Sequence, residues 1–390
     1  MAEQLAYAII TPYSLYKSRT GGILARLIAR TRLELVGARM FAPSAELVKE
    51  YSQTIVSAND PQDRRVQELL RDYILQNFSP DPKTGRRRRV MMLLFRGEEA
   101  VRTLRSVVGN LSPDRRTGET IRDTYADMIL DDNGNVRYFE PAVLAPPNAE
   151  EAEIKLKLWA RYSESDGGIL SNTIPYASGE TPQRTLVLIK PDNFRFPTGR
   201  PGNVIDFFSR TGLYIVGIKL HRMSVAQAME FYGPVREVLR TKLKDVVAKQ
   251  SKEALEKAFG FALPEKEIKQ LGELLGPLYG DNQFDNIVRF MSGKAPGECA
   301  SEQQLNAPGS ERCIALVYEG VEAVSKIRDV LGPTDPSKAP PGSIRKEFGS
   351  TIMVNAAHAS DSEDNARREM GIVKVEENVF RREIDAFFKK

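Results

Sequence analysis

The chain of 390 residues contains two histidines, His221 and His358. An imidazole with its ordinary pKa of about 6.5 is largely unprotonated near neutral pH, so it can serve as nucleophile or proton carrier. His358 stands in the stretch 342–369, GSIRKEFGSTIMVNAAHASDSEDNARRE, where Ala359-Ser360-Asp361-Ser362 lead into a helix-like, carboxylate-bearing run that reaches Glu369. Arg328 and Arg345 precede it, with Gly332-Pro333-Thr334-Asp335-Pro336 between them. Guanidinium forks match phosphoryl oxygens bidentately, so a histidine flanked by two arginines points to the handling of phosphate. The ordinary alternative for any single histidine is a place on a surface loop. His221, in a strand-like run ahead of Arg222, reads as structural.

The elements that would position these residues occur twice. Ala6 to Ile10 reads as a buried strand ended by Thr11-Pro12, Gly22 to Arg32 has helical spacing, and Leu33 to Phe41 reads as a second strand. Helix-rich sequence follows to about Phe78, then a strand at Val90 to Phe95, a helix over Glu98 to Val108 and a strand near Ala126 to Leu130. That order is the ferredoxin-like one. It returns from Thr185: Gly22 to Gly37 matches Gly202 to Gly217 at a shift of 180, and Leu93 to Gly109 matches Leu316 to Gly332 at a shift of 223. Ile121-Arg122 and Ile344-Arg345 keep the second shift. A period of this kind identifies a duplicated domain.

The expected organisation is a first domain over 1–162, a linker over 163–182 and a second domain over 183–390. The change of shift gives the second copy roughly 43 additional residues, charged and helically spaced over 233–280 and loop-like over 294–312. This insertion is either surface decoration or an element at the edge of a site.

Composition excludes several classes. A net charge of +4 is small for this length and gives no reason to expect nucleic acid as a partner. The run Arg86 to Arg89 reads as a solvated turn. Two cysteines, Cys299 and Cys313, are too few for a disulfide scaffold and lack metal-ligand spacing. No stretch approaches the roughly 18 apolar residues of a membrane helix, and Met1-Ala-Glu-Gln has no basic start, so a cytoplasmic protein is expected.

Asn355-Ala-Ala-His358-Ala-Ser360-Asp361, with Ile344-Arg345 and Phe348 before it and Glu369 beyond, resembles the active-site signature of nucleoside diphosphate kinases. The resemblance extends to both copies. It implies an α/β (α+β) fold of two tandem ferredoxin-like βαββαβ domains with antiparallel sheets, paired as a pseudo-dimer within one chain. In the second copy it makes His358 the phosphorylated histidine, Glu369 the carboxylate that orients it, and Lys190 the lysine of a K-P-D motif in which Asn193 replaces the usual glycine. It assigns phosphates to Arg328, Thr334 and Arg345, ribose and phosphate to Asn355, and an active-site tyrosine to Tyr232. Ile352 and Phe284, or its neighbour Gln283, would sandwich the base. The implied cofactor is Mg2+, held mainly by nucleotide phosphates, with Asp361 reaching it at most through water.

The first copy departs from that pattern. Thr11 replaces the lysine, Leu111 or Ser112 falls at the threonine, Asn135 or Tyr138 at the histidine, and Lys155 near the glutamate. No histidine precedes residue 221, so this copy forms no phosphohistidine and reads as scaffold, with Arg105 and Arg122 retained. The function implied is transfer of the terminal phosphate from a nucleoside triphosphate to a nucleoside diphosphate, in two steps through His358. The alternative is a catalytically weak nucleotide-binding or regulatory protein of the same fold. A protein as phosphate acceptor, nucleotide preference and further homo-oligomerisation stay open.

Overall fold

The computed structural model describes residues 3–111, 117–196 and 198–389. The first repeat runs β1 (Glu3–Ile10), α1 (Pro12–Tyr16), α2 (Thr20–Thr31), β2 (Glu34–Phe41), α3 (Ala45–Gln53), α4 (Arg64–Asn77), β3 (Val90–Glu98), α5 (Ala100–Val108), α6 (Ile121–Tyr125), β4 (Asp127–Leu130), β5 (Val136–Glu140), β6 (Val143–Leu144) and α7 (Ala149–Arg161). The second runs β7 (Gln183–Ile189), α8 (Arg200–Phe208), β8 (Tyr214–His221), α9 (Val225–Lys242), α10 (Lys244–Phe259), α11 (Glu265–Ser292), α12 (Glu302–Asn306), β9 (Cys313–Gly320), α13 (Ala323–Leu331), α14 (Ile344–Phe348), β10 (Ala357–Ala359), α15 (Glu363–Ile372) and α16 (Val379–Phe388).

Each repeat builds one four-stranded sheet, and the two have the same order: β2-β3-β1-β6 and β8-β9-β7-β10. The central strands are continuous apolar runs because helices cover both their faces. Leu5 to Ile10 and Val90 to Phe95 are buried throughout, as are Thr185 to Ile189 and Cys313 to Gly320. The strand expected near Ala126 to Leu130 forms, but it is not the sheet's fourth strand: among the described residues β4 pairs with β5 alone, in a separate hairpin, and Val143–Leu144 takes the edge beside β1.

By its contacts the chain divides into a unit of residues 1–220 with 314–390, which holds the first repeat and the rest of the second outside α9 to α12, and a unit of residues 221–313. The second unit is helical. Its α9 begins in a capping box made by Ser224 and Gln227, whose amide oxygen also lies 3.1 Å from His221 Nε2, so His221 serves the turn into that helix. The Arg236–Asp281 pair joins α9 to α11.

Within the first unit the repeats pack as a pseudo-dimer through α2 and α8. A Cβ on Gly21 would lie 2.5 Å from the backbone of Asp206 and Gly202, and one on Gly202 would lie 2.3 Å from the backbone of Ala25 and Gly21. Gly21 is therefore the counterpart of Gly202, at a shift of 181, where the sequence match paired Gly22. One residue is absorbed at the helix end. Thr31 Oγ1 donates to Leu27 O four residues back, whereas Thr211 Oγ1 donates to Phe208 O three back, in a 3-10 turn. Arg32 and Gly212 then both close with positive φ, which restores the shift of 180.

Exchanged arms complete the pairing. The segment after α7 crosses to the second repeat, where Leu170 N donates to Val216 O at 2.9 Å. In return α16 enters the first repeat's core, placing Phe380 5.4 Å from Phe41, which also meets Trp159 at 4.9 Å. Arg39 Nε donates to Ser163 O on one side and Lys219 Nζ to Val373 O on the other, both at 2.9 Å and both buried. Arg89, expected in a solvated turn, instead donates to Ile215 O at 2.6 Å and stacks on Tyr214, and burial draws its pKa down to about 10. Among the described residues no helix is long and apolar enough to cross a membrane.

Candidate active site

His358 sits in the middle of β10, opposite Leu188 of β7, with its side chain 24 % exposed. The next turn and α15 bring Glu369 behind it. Ser362 caps that helix by accepting from Asn365 N, which sets its first turn and carries Glu369 inward. Glu369 is buried, and its Oε2 lies 3.0 Å from His358 Nε2 and accepts Ser360 Oγ at 2.6 Å. A carboxylate only accepts, so the proton belongs on Nε2 and the lone pair on Nδ1.

The cations come from the turn after β7 and from the helices α13 and α14. Lys190 ends β7, where its backbone N donates to Ala356 O at 2.9 Å and its Nζ to Met353 O at 2.5 Å and Asn355 Oδ1 at 2.9 Å. Burial, with the nearby Arg345 charge, pulls its pKa down from 10.5 to about 8, against the pull of Asp192. Asn355 Nδ2 turns the other way, to Thr334 O at 3.1 Å and Ile352 O at 2.8 Å, so one amide joins the lysine to the Gly332–Pro336 loop. Arg345, on α14, donates to Gly332 O at 2.9 Å and Ala357 O at 3.3 Å. Ala356 between them has φ +69°, a left-handed conformation that alanine avoids and that cross-braced structure sustains.

Lys190, Asn355, Arg345, His358 and Glu369 are thus brought together by β7, β10, α14 and α15. Thr334 and Arg328 are exposed on the loop and helix that precede them, and Ile352 is 61 % exposed. Asp361, after β10, is held below the usual carboxylate range by the Asn365 amide and by the Arg328 charge. Tyr232 and Phe284 lie in the unit of residues 221–313, on α9 and α11. The Phe284 ring is buried, with the Arg236 guanidinium 5.5 Å from its centre, while the neighbouring Gln283 is half-buried.

The first repeat shows how the same frame looks without this chemistry. Thr11 N donates to Ala142 O as Lys190 N does to Ala356 O, and Ala142 has φ +60°. Leu144 then pairs with Ile9 in the register of His358, which corrects the alignment to Asn135 or Tyr138. Asn135 and Tyr138 belong instead to the β4–β5 hairpin, Asn135 at its turn and Tyr138 opposite Ile129. Lys155 does stand at the place of Glu369, and it pairs inside α7 with the buried Glu151. Arg122 repeats Arg345, donating to Gly109 O at 2.9 Å and Val143 O at 3.0 Å, but it is buried, and its pKa falls to about 9 through burial and the Arg105 charge. Where Lys190 stands in the second repeat, Thr11 and Tyr73 donate to Glu140, a buried carboxyl whose pKa burial raises. Leu111 packs against the first repeat's core; Ser112 lies outside the described residues.

Sequence reading missed Arg200. Its Nε donates to Asn193 Oδ1 at 3.0 Å, and its Nη2 to Asp192 Oδ2 at 3.2 Å and to Phe348 O. The signal was present in the repeat: Arg19 stands two residues before Gly21 as Arg200 stands two before Gly202.

A nucleoside diphosphate kinase of Campylobacter hominis is 30 % identical over 188 residues, spanning 48 % of this chain and 92 % of that protein. The chain belongs to the nucleoside diphosphate kinase family. The family model "Nucleoside diphosphate kinase" matches residues 183–258 and 302–379, which lie in the second repeat. A nucleoside diphosphate kinase of Staphylothermus marinus is 29 % identical over 191 residues, 49 % of this chain and 92 % of that protein. Among solved structures, the Aquifex aeolicus nucleoside diphosphate kinase is 26 % identical, with a TM-score of 0.31, over 50 % of this chain and 95 % of that one. The family match thus lies on the repeat that carries His358.

Proposed function

We propose that this member of the nucleoside diphosphate kinase family moves the terminal phosphate of a nucleoside triphosphate to a nucleoside diphosphate, with His358 as the carrier. The observation that supports it most is the His358 Nε2 to Glu369 contact of 3.0 Å, which leaves the nucleophilic lone pair on Nδ1. In the first step Nδ1 forms a bond to the terminal phosphorus, the bond to the bridging oxygen breaks, and the electron pair leaves on the diphosphate. The second step runs the same displacement in reverse toward a different diphosphate. Glu369 offsets the charge that the substituted imidazole acquires, and Ser360 fixes that carboxylate.

Phosphoryl transfer needs cations against the equatorial oxygens and little else, and Lys190 and Arg345, with the exposed Arg328, supply them from three different elements. Asn355 holds Lys190 toward the Thr334 loop, and the exposed Ile352 offers an apolar surface to a base without reading its edges. Magnesium fits this setting as a companion of the nucleotide: Asp361 is an exposed, ionised carboxylate beside the Arg328 charge, suited to a contact through water. When bound, the ion would neutralise charge on the phosphates.

The test is a coupled assay with ATP and a second nucleoside diphosphate. Exchange that is lost in His358→Ala with the fold unchanged supports the reading; nucleotide affinity without exchange in the wild-type protein contradicts it and leaves a binding protein.

A further inference from the structure

The Lys190 turn is built differently in the two repeats. Asn193, in the second, is buried, and its Nδ2 donates to Lys190 O at 2.9 Å and to Ala356 O at 2.7 Å. Its Oδ1 accepts from Arg200 Nε at 3.0 Å. The same guanidinium reaches Asp192 and the carbonyl of Phe348, the last residue of the helix that carries Arg345. Three pieces of chain that bear on phosphate are therefore tied at one arginine: the turn that carries Lys190, the end of the Arg345 helix, and, through Asn193, the left-handed residue Ala356 two positions before His358. Ala356 O, on a residue with φ +69°, accepts both Lys190 N and Asn193 Nδ2, whereas Ala142 O, on a residue with φ +60°, accepts Thr11 N.

The first repeat keeps half of this arrangement. Arg19 Nη1 donates to Tyr125 O at 2.7 Å, and Tyr125 is the counterpart of Phe348 at the shift of 223. The counterpart of Asn193 at the Thr11–Lys190 shift is Ser14, whose buried Oγ has no hydrogen-bond partner among the described residues. The bond from arginine to helix end thus belongs to the fold, since the copy without a histidine has it. The bonds to Asn193 and Asp192 occur only in the copy with His358.

We infer that Asn193 and Arg200 form a positioning clamp, which presets Lys190 and Arg345 for the phosphoryl group that His358 accepts. This rests on the phosphotransfer reading above. Neither residue is asked to touch the nucleotide. They hold the two cations in register with the histidine before substrate arrives, so the clamp acts on the rate of transfer more than on affinity, since misplacing reacting groups by an ångström can cost about 100-fold in rate.

The experiment is single-turnover labelling of the full chain by radiolabelled ATP across ATP concentrations, which separates the limiting rate of His358 phosphorylation from the apparent affinity. Arg200→Ala and Asn193→Ala are expected to lower the limiting rate by about 10- to 100-fold while changing half-saturation by less than about threefold. Arg200→Lys, which can serve only some of the partners, should fall between. Arg19→Ala removes the equivalent helix-end bond from the first repeat and controls for stability; it should label at the wild-type rate. Equal labelling by wild type and folded Arg200→Ala overturns the clamp and leaves the phosphotransfer reading standing. Equal slowing by Arg19→Ala also overturns it, by making the effect one of stability. A wild-type protein that takes no label overturns both.

Discussion

Leu144 pairs with Ile9 at the sheet position where His358 pairs with Leu188, and the helix behind each delivers Lys155 in one repeat and Glu369 in the other. On the proposed reading the fold offers two places for a nucleophile and equips one. A histidine alone should not restore the other, because Lys155 is committed to Glu151 and a buried carboxyl stands where the second repeat has a lysine. The double variant Leu144→His, His358→Ala is expected to take no phosphate from ATP; labelling at residue 144 would show that the frame suffices without its cations.

The carboxylate behind the imidazole has a separable effect. Glu369→Gln keeps the shape but removes the charge that, on the proposed reading, would favour the reacting tautomer and offset the phosphorylated ring. The labelling rate should fall by about 10- to 100-fold, the usual cost of losing such a partner. Rapid-quench measurement of the first half-reaction reads this directly, and an unchanged rate would remove Glu369 from the mechanism.

The depressed pKa of Lys190 gives a pH dependence with a definite sign. Burial brings it to about 8 from 10.5, so the ammonium that would meet the phosphates is lost as pH rises through about 8. Labelling by ATP should decline above that pH, and Lys190→Arg should flatten the decline. For folding the sign is opposite: between the two values the unfolded chain holds a proton that the folded chain does not, so this group's contribution to stability rises with pH. Urea titrations at pH 8 and 10 of wild type and Lys190→Met measure that difference.

The intramolecular pairing predicts an asymmetry between adjacent glycines. A methyl on Gly21 would lie 2.5 Å from backbone atoms of α8, which cannot give way without separating the helices, whereas one on Gly22 meets the hydroxyl end of the Tyr125 side chain. Gly21→Ala and Gly202→Ala should each cost about 2 kcal/mol or more, and Gly22→Ala distinctly less. Thermal unfolding of the three variants decides it; equal losses would mean that α2 and α8 are not a tight contact.

Much of this was legible in the sequence because strand cores and the histidine signature are local patterns. The repeated order of elements, the two sheets and the joining of Lys190, Asn355, Arg345, His358 and Glu369 follow from runs such as Val90 to Phe95 and from one dense stretch around His358. What escaped depends on geometry that spacing does not carry. A 3-10 turn at Thr211 absorbs one residue and hides the Gly21–Gly202 pairing, and the β4–β5 hairpin, inserted ahead of β6, shifts Leu144 away from the place that spacing assigns to the histidine. Arg200 escapes because it closes a turn seven residues back while reaching the end of a helix 148 residues on, and Arg89 because an arginine run reads as solvent-facing until Ile215 and Tyr214 are seen beside it.

The most direct measurement is incubation of the full chain with ATP labelled at its terminal phosphate, followed by mapping of the acid-labile label. Label on His358, chased off by added nucleoside diphosphate and absent from folded His358→Ala, is the expected result. A well-folded wild-type protein that stays unlabelled, or a His358→Ala variant that labels as the wild type does, contradicts it.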